Sequence, residues 1–171
     1  FFNLGAAPNG NYVVVWEGFE PISGTRNVRT QVHRPDGSVL TPAMTLNAVE
    51  LMYSDMSGSD VALNDAGSGV VVIQDTLTVR AMIFNTDGIS NGGFDVIPSG
   101  STASPDKPRV GIDDEGDFTV LWGNQARQFD STAFSFIPPG GTVLDLGAIG
   151  GHSDIAMAPN GAFVVVGRDV S

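Results

Sequence analysis

The sequence predicts an all-β fold built by repeating one small sheet. Three observations favour this fold class: a composition rich in turn residues, short apolar runs that follow glycine-ended turns, and an eight-residue pattern that recurs along the chain. Of the 171 residues, 22 are Gly and 10 are Pro, whereas Lys107 is the only lysine. Abundant glycine and proline with few straight-chain helix formers favour short strands joined by tight turns.

The recurring pattern opens each repeat unit. It consists of a polar residue, then an apolar residue, a small one and another apolar one, followed by three turn residues and a glycine. The four copies are NLGAAPNG (3–10), DVALNDAG (60–67), RVGIDDEG (109–116) and DIAMAPNG (154–161). Self-similarity of this kind is the mark of a repeat architecture.

An apolar run follows each glycine and predicts a strand that is buried on both faces, because it does not alternate apolar with polar residues. The runs are YVVVW (12–16), GVVVI (69–73), FTVLW (118–122) and FVVVG (163–167). Their central residues share one position of the repeat and are expected to be buried: Val14, Val71, Val120 and Val165. Sheets stacked face to face would cover such strands on both sides. A sandwich, which is the alternative fold, would bury only one face.

Two further strands are expected in each complete unit. VRTQVHRPDG (28–37) aligns without gaps with VRAMIFNTDG (79–88), and each ends in Asp-Gly, which is a hairpin signal. In the third unit FSFIPPGG (134–141) takes the same place. A fourth short strand is expected around 44–47, 94–98 and 142–147.

The spacing of the units predicts the architecture. Four strands in about 40 to 50 residues is the spacing of a β-propeller blade. The sequence therefore predicts a β-propeller-like repeat of four-stranded antiparallel meander blades, with about three and a half blades in this chain. The single repeat domain 1–171 divides approximately into units 1–58, 59–107 and 108–152 and a partial unit 153–171. An unfinished last blade predicts that the chain belongs to a longer propeller or to an assembly.

The strand sequences resemble a known class of repeat. GNYVVVW (10–16), GDFTVLW (116–122) and GAFVVVG (161–167) are similar to the propeller-type tandem repeats with a Gly-x-Phe-Val-Val-Val-Trp core in large secreted and surface proteins of bacteria. The resemblance covers the whole chain and departs at Ile73 and Gly167, where the Trp is missing. It implies an extracellular or cell-surface location, and it transfers no catalytic residue because the shared residues are scaffold residues.

Charge and composition exclude several classes of function. The formal net charge is −11, from 19 acidic and 8 basic residues, which opposes binding to nucleic acid or to anionic lipid. The chain has no cysteine, so disulfides and thiolate metal sites are excluded, and this favours a bacterial source. No apolar run reaches 18 residues, so no membrane span is predicted.

The first candidate site is the set of polar residues that open the first strands. In a propeller these strands line the central channel, so a polar ring there would suit a cation or a small polar ligand. The four residues at this channel rim are Asn3, Asp60, Arg109 and Asp154. The alternative is that each of them bridges to a neighbouring blade. Arg29 and Arg80 are also matched between units and are expected to form salt bridges between blades.

The second candidate site is the acidic turn DDEGD (113–117). Calcium loops gather carboxylates around a turn glycine, because a hard cation takes six to eight oxygen ligands. The candidate calcium ligands are Asp113, Asp114, Glu115 and Asp117. The equivalent turns of the other units carry few or no acidic residues, which favours a solvated acidic hairpin and no calcium. Trp16 and Trp122 are expected to pack in the core, with sugar stacking as the alternative.

These patterns contain no catalytic set, no metal site other than the weak calcium candidates, and no cofactor motif. The sequence therefore predicts a non-enzymatic propeller scaffold or interaction module of a secreted or cell-surface protein, serving in adhesion, assembly or ligand display. A carbohydrate-binding or carbohydrate-active propeller is one alternative, and a calcium-stabilised surface module is another. The expected partners are proteins (missing blades, a neighbouring subunit or a larger assembly) and, for the first alternative, glycans.

Overall fold

The computed structural model describes residues 2–20, 25–46, 58–75, 78–85, 90–97, 107–130, 135–137, 143–147 and 149–169. These residues form strands and turns, and none of them lies in a helix, which confirms the predicted all-β class. Within the same ranges no helix is long and apolar enough to cross a membrane.

The described strands form four sheets that follow one another along the chain, with antiparallel pairing. Sheet 1 contains β1 (Phe2–Ala6), β2 (Tyr12–Glu20), β3 (Thr25–His33) and β4 (Val39–Leu46). Sheet 2 contains β5 (Ser59–Leu63), β6 (Gly69–Asp75), β7 (Thr78–Phe84) and β8 (Ser90–Asp95). Sheet 3 contains β9 (Arg109–Ile112), β10 (Phe118–Trp122), β11 (Gln125–Asp130), β12 (Ser135–Ile137) and β13 (Leu144–Asp145). Sheet 4 contains β14 (Ile149–Met157) and β15 (Phe163–Asp169).

One turn geometry joins the first two strands of every sheet. In sheet 1 the N–H of Ala7 donates to Asn11 O at 2.8 Å, and the N–H of Gly10 donates to Ala7 O at 2.9 Å. Equivalent pairs of bonds occur in the other three sheets. Gly10 has a φ of +87°, a conformation that glycine adopts without steric cost. The eight-residue pattern is therefore a structural unit, and its final glycine is required by the turn.

The predicted strand order holds in sheets 1 and 2 and is wrong in sheet 3. The expected third strand, 134–141, contains β12, which pairs on the far side of β11. The third strand is β11 itself, which follows β10 through the tight turn Gly123–Asn124. β13 pairs with the same edge of β11, so β12 and β13 together occupy the fourth-strand place. The sequence obscured β11 because QARQFD (125–130) is largely polar.

Two other sequence expectations concern the ends of strands. The hairpin predicted at Asp36–Gly37 is confirmed, since it joins β3 to β4, whereas its counterpart at 87–88 lies outside the described residues. β14 begins at Ile149, inside the segment assigned to the third unit.

The four sheets pack face to face in chain order. Their first strands (β1, β5, β9 and β14) lie in the closest contact, and contact is sparser between the fourth strands β4 and β8. Val13 and Val15 of sheet 1 share an apolar cluster with sheet 2. A second cluster lies between sheets 2 and 3 and includes Val70, Val72 and Trp122. We call the side of a sheet that faces the preceding sheet its front face and the opposite side its back face.

Among the described strands, burial on both faces is found only in the middle of the stack. Val71 and Val120 are fully buried, as predicted. The same prediction is wrong for Val14 and Val165, which are half-buried. The cause is position, because among the described sheets the first and last have a neighbour on one face only.

Thr119 is a polar exception on the back face of sheet 3, where sheets 1 and 2 carry Val13 and Val70. Its side chain is fully buried, and its hydroxyl has no hydrogen-bond partner. Burying a hydroxyl in this way costs about 1–3 kcal/mol. We therefore expect Thr119→Val to raise the free energy of unfolding by about 1 kcal/mol in urea titrations. Val70→Thr is the reverse control, and an unchanged or lower stability of Thr119→Val would contradict the expectation.

Candidate functional site

The four polar residues that open the first strands lie next to one another across the stack. Asn3 Nδ2 donates to Ser59 O at 2.9 Å and to Asp60 Oδ1 at 3.3 Å, which links sheets 1 and 2. Asp60 Oδ2 accepts a hydrogen bond from Val110 N at 3.0 Å, which links sheets 2 and 3. We call the whole set the polar ladder: Asn3, Asp60, Arg109 and Asp154.

The last step of the polar ladder is a loose ion pair. Arg109 Nε lies 4.0 Å from Asp154 Oδ1, and the two side chains are 32% and 73% exposed. Asn3, Asp60 and Arg109 therefore each contact the next sheet, as in the bridging alternative, and Asp154 is contacted from sheet 3. Ligand binding by these four residues stays a prediction, and Asp154 is the member with the most exposed carboxylate.

Asp60 is the more buried of the two carboxylates in the ladder. Burial between the sheets raises the pKa of Asp60 above its ordinary value of 3.8. The N–H groups of Val110 and Val61 and the charge of Arg109 act against this increase, and the charge of Asp154 adds to it. The folded state therefore holds a proton on Asp60 more tightly than the unfolded state does.

This shift predicts a pH dependence of stability. The contribution of Asp60 to the free energy of unfolding is fully present below the pKa of Asp60 in the unfolded state. It is lost as pH rises through the higher pKa of the folded state. Asp60→Asn cannot ionise, so its stability relative to the wild type should rise over that interval, measured by urea unfolding from about pH 3 to pH 7.

Asp36 provides a control for which the stability difference should change with pH in the opposite direction. Hydrogen bonds from Ser38 lower the pKa of the exposed Asp36 carboxyl, so its contribution is present at high pH and is lost on acidification. Asp36→Asn should therefore lose stability relative to the wild type as pH rises. A stability difference for Asp60→Asn that stays constant with pH would contradict the burial of a carboxylate in the ladder.

Small residues let the first strands approach one another. A Cβ added to Gly5 would lie 2.7 Å from Val61 O, and one added to Gly111 would lie 2.8 Å from Met157 Cβ. Beside these strands is a cavity of about 300 Å³ with a mostly apolar lining that includes Ala62 and Ala156. Its size is at the lower end of the range for small-ligand sites.

The acidic turn is organised by its first residue. Asp113 is buried, and its Oδ1 accepts a hydrogen bond from Asp117 N at 2.8 Å, so this carboxylate caps its own turn. Asn64 makes the equivalent bond to Ser68 N in sheet 2. Burial raises the pKa of Asp113.

Asp114 and Glu115, the next two acidic residues of this turn, have different surroundings. Asp114 N donates to Pro159 O, and the exposed Asp114 and Glu115 line a cavity of about 350 Å³ between sheets 2 and 3. Within the described ranges no three His, Asp or Glu side chains are grouped to hold a metal ion. Calcium independence stays a prediction.

The matched arginines act within sheets. Arg80 Nε lies 3.5 Å from Asp95 Oδ1, and the two residues are cross-strand partners in sheet 2, so the predicted salt bridge between blades is wrong for Arg80. Arg29 lies over Gly18 of its own sheet, where an added Cβ would be 3.2 Å from Arg29 Nε. Both arginines are on third strands, far from the closely packed first strands.

The two tryptophans differ in their surroundings. Trp122 is fully buried, and its Nε1 donates to Gln125 Oε1 at 3.1 Å, which confirms the predicted core position. Trp16 is half-buried on the front face of sheet 1. On the same face the rings of Tyr12 and His33 stack with their centroids 5.0 Å apart.

Two exposed apolar surfaces, one at each end of the stack, were not predicted from the sequence. On the front face of sheet 1, Phe2 is 80% exposed and Leu4 is 58% exposed. On the back face of sheet 4, Val164 is 58% exposed and Val166 is 61% exposed. The signal was available, because the first and last copies of a stacked repeat each have one face without a neighbouring copy.

Comparisons with known proteins bear on the fold. No family model and no curated protein matches the sequence. The chain is similar to a solved structure of a protein of unknown function from Bacteroides caccae, with a TM-score of 0.50 and 11% sequence identity. The similarity covers 99% of this chain and 58% of that protein, so the chain spans somewhat more than half of its length. At this identity the comparison concerns the fold alone.

Proposed function

We propose that the chain is a non-enzymatic β-propeller scaffold, an interaction module of a secreted or cell-surface bacterial protein that serves in adhesion, assembly or ligand display. The observation that carries this proposal is the pair of exposed apolar end faces. Val164 and Val166 are 58% and 61% exposed, whereas their counterparts Val13 and Val15 are 0% and 1% exposed. Large exposed apolar patches mark sites of interaction with other proteins or membranes.

The blade arrangement is supported by how the sheets meet. Sheets 1 and 2 are four-stranded meanders, and in sheet 3 β12 and β13 together take the place of the fourth strand. The first strands of the sheets are closest to one another, as blades are near a propeller axis. Closed propellers have about four to eight blades. In such a ring the two end faces of this stack would be covered by further blades or by a neighbouring subunit.

The bonding of the polar side chains supports a role without catalysis. Asp60, Asn64 and Asp113 each accept a hydrogen bond from a backbone N–H of the fold itself. Carboxylates and amides used in this way hold turns and sheet junctions together. The extracellular or cell-surface location rests on the resemblance of the strand sequences to repeats of secreted bacterial proteins.

Carbohydrate binding is the second candidate function. The front face of sheet 1 presents the stacked rings of Tyr12 and His33 together with Phe2 and the half-buried Trp16. Planar aromatic side chains offer a flat apolar surface on which sugar rings can pack.

A glycan array probed with the purified chain, with and without calcium, tests the proposed function. We expect no specific binding under either condition. Binding that does not depend on calcium would favour the carbohydrate-binding candidate, and calcium-dependent binding would favour a calcium-stabilised module. An array signal that Tyr12→Ala and Trp16→Ala abolish, while Trp122→Phe retains it, would place the glycan on the front face and favour the carbohydrate-binding candidate over the proposed function.

A further inference from the structure

We propose that copies of this chain associate head to tail, with the back face of sheet 4 of one copy against the front face of sheet 1 of the next. This inference deepens the proposed scaffold function and rests on it. The partner surface is identified by the junctions between the chain's own sheets.

The junction between sheets 2 and 3 shows what a back face of this kind packs against. Val70 and Val72, on the back of sheet 2, share an apolar cluster with three residues on the front of sheet 3. Those three residues are Val110, Val120 and Trp122.

The two end faces carry the same side-chain types at the same repeat positions. Val164 and Val166 occupy the positions of Val70 and Val72, and they are the most exposed valines of their strand. On the front of sheet 1, the positions of Val110, Val120 and Trp122 are taken by Leu4, Val14 and Trp16. The back of sheet 4 and the front of sheet 1 therefore form the two halves of one more junction.

The first strands also fit this arrangement. Gly5 and Gly111 let neighbouring first strands approach because a Cβ at either residue would collide with the next sheet. The equivalent residue on the back of sheet 4 is Ala156, which is exposed, and sheet 2 carries Ala62 at the same position, where β5 contacts β9. A front face can thus approach the back of sheet 4 as β9 approaches the back of sheet 2.

The two end faces differ from each other, so the contact joins unlike surfaces. Such a heterologous contact leaves one free front face and one free back face on every growing assembly. Copies therefore add in series, either until a ring closes or as an open chain.

Two blocked variants test this arrangement by sedimentation velocity and multi-angle light scattering. Phe2→Lys/Leu4→Lys blocks the front face, and Val164→Lys/Val166→Lys blocks the back face. Leu144→Lys is the control, because Leu144 is 43% exposed and lies on β13, away from both faces. All proteins are compared at about 50 μM, above the micromolar dissociation constants of weak specific interfaces.

We expect the wild type and Leu144→Lys to form dimers and larger species whose amount grows with concentration. Each blocked variant alone should be a 17.8 kDa monomer. An equimolar mixture of the two blocked variants should form a species of twice that mass and nothing larger, since it retains one intact front face and one intact back face. Circular dichroism verifies folding, and Val164→Thr/Val166→Thr, which keeps β-branched side chains, should weaken association at least fivefold.

Several results would overturn the inference. A monomeric wild type would show that the end faces do not bind each other. A dimer formed by the front-blocked variant alone would show pairing of two back faces, and association that survives both blocks would point to pairing along strand edges. If the wild type is monomeric and binds no glycan, head-to-tail association is contradicted, but the scaffold function stands with a different protein as its partner. The two proposals can therefore fail independently.

Discussion

Replacing Trp122 with alanine is expected to lower the free energy of unfolding by about 3–5 kcal/mol. The side chain is fully buried in the apolar cluster between sheets 2 and 3, and the Trp122 indole N–H bonds to Gln125. Truncation would leave a cavity between two sheets and an amide oxygen without its donor. Urea unfolding followed by far-ultraviolet circular dichroism measures the loss without relying on the removed indole.

Trp16→Ala is the matched control for this prediction. Trp16 occupies the same repeat position as Trp122 but is half-buried on the front face of sheet 1. Its truncation removes less apolar surface from contact, so we expect a loss of about 1 kcal/mol. Equal losses for the two variants would contradict the placement of sheet 1 at the end of the stack.

Gly5→Ala is expected to lower the free energy of unfolding by about 1–3 kcal/mol. The added Cβ would lie 2.7 Å from the backbone oxygen of Val61, which cannot move without shifting the first strand of sheet 2. Sheets 1 and 2 would have to separate where their first strands meet. The reduced freedom of the unfolded chain would offset about 0.4–1 kcal/mol of this cost.

Ala6→Val is the control for Gly5→Ala. Ala6 is the next residue of β1 and lies on the exposed front face, so added volume there meets no neighbouring sheet among the described residues. We expect a change within about 0.5 kcal/mol in the same urea titrations. If Gly5→Ala were as harmless as Ala6→Val, the close approach of the first strands would be wrong.

The repeat itself was predictable from sequence because each unit carries local signals. The turn glycines are required by a positive φ, as at Gly10, and the apolar runs predict strands. Asp113 and Asn64 share the turn-capping position, which a comparison of the repeat copies could also have revealed. These features depend on residues close in sequence, so they can be inferred without knowing what packs against them.

The ends of the stack were not predictable from local sequence. Val14 and Val71 both lie within a Val-Val-Val run, yet Val14 is half-buried and Val71 is fully buried. The difference arises from the neighbouring sheet, which no local pattern encodes. Strand β11 was missed for a related reason, since Arg127 is buried by tertiary contacts and the other polar residues of the strand are half-buried.

The candidate site was predicted in part. The residues of the polar ladder could be identified from the repeat. Their contacts between sheets could be predicted because the first strands were expected to be neighbours. The partners of individual side chains were not predicted, because the repeat does not specify which residue lies opposite Arg80. Its cross-strand partner Asp95 is set by the β7–β8 register, which the sequence does not specify.

The most direct test of the stacked arrangement is a pair of spin-label distances. The chain has no cysteine, so two cysteines introduced in one chain, at the exposed turn residues Pro8 and Glu115 or Pro8 and Pro159, can be labelled selectively. Neighbouring sheets pack about 10 Å apart, so in protein diluted with unlabelled chain we expect about 20 Å for Pro8–Glu115 and a longer distance for Pro8–Pro159. A Pro8–Pro159 distance no longer than Pro8–Glu115 would contradict sheets stacked in chain order.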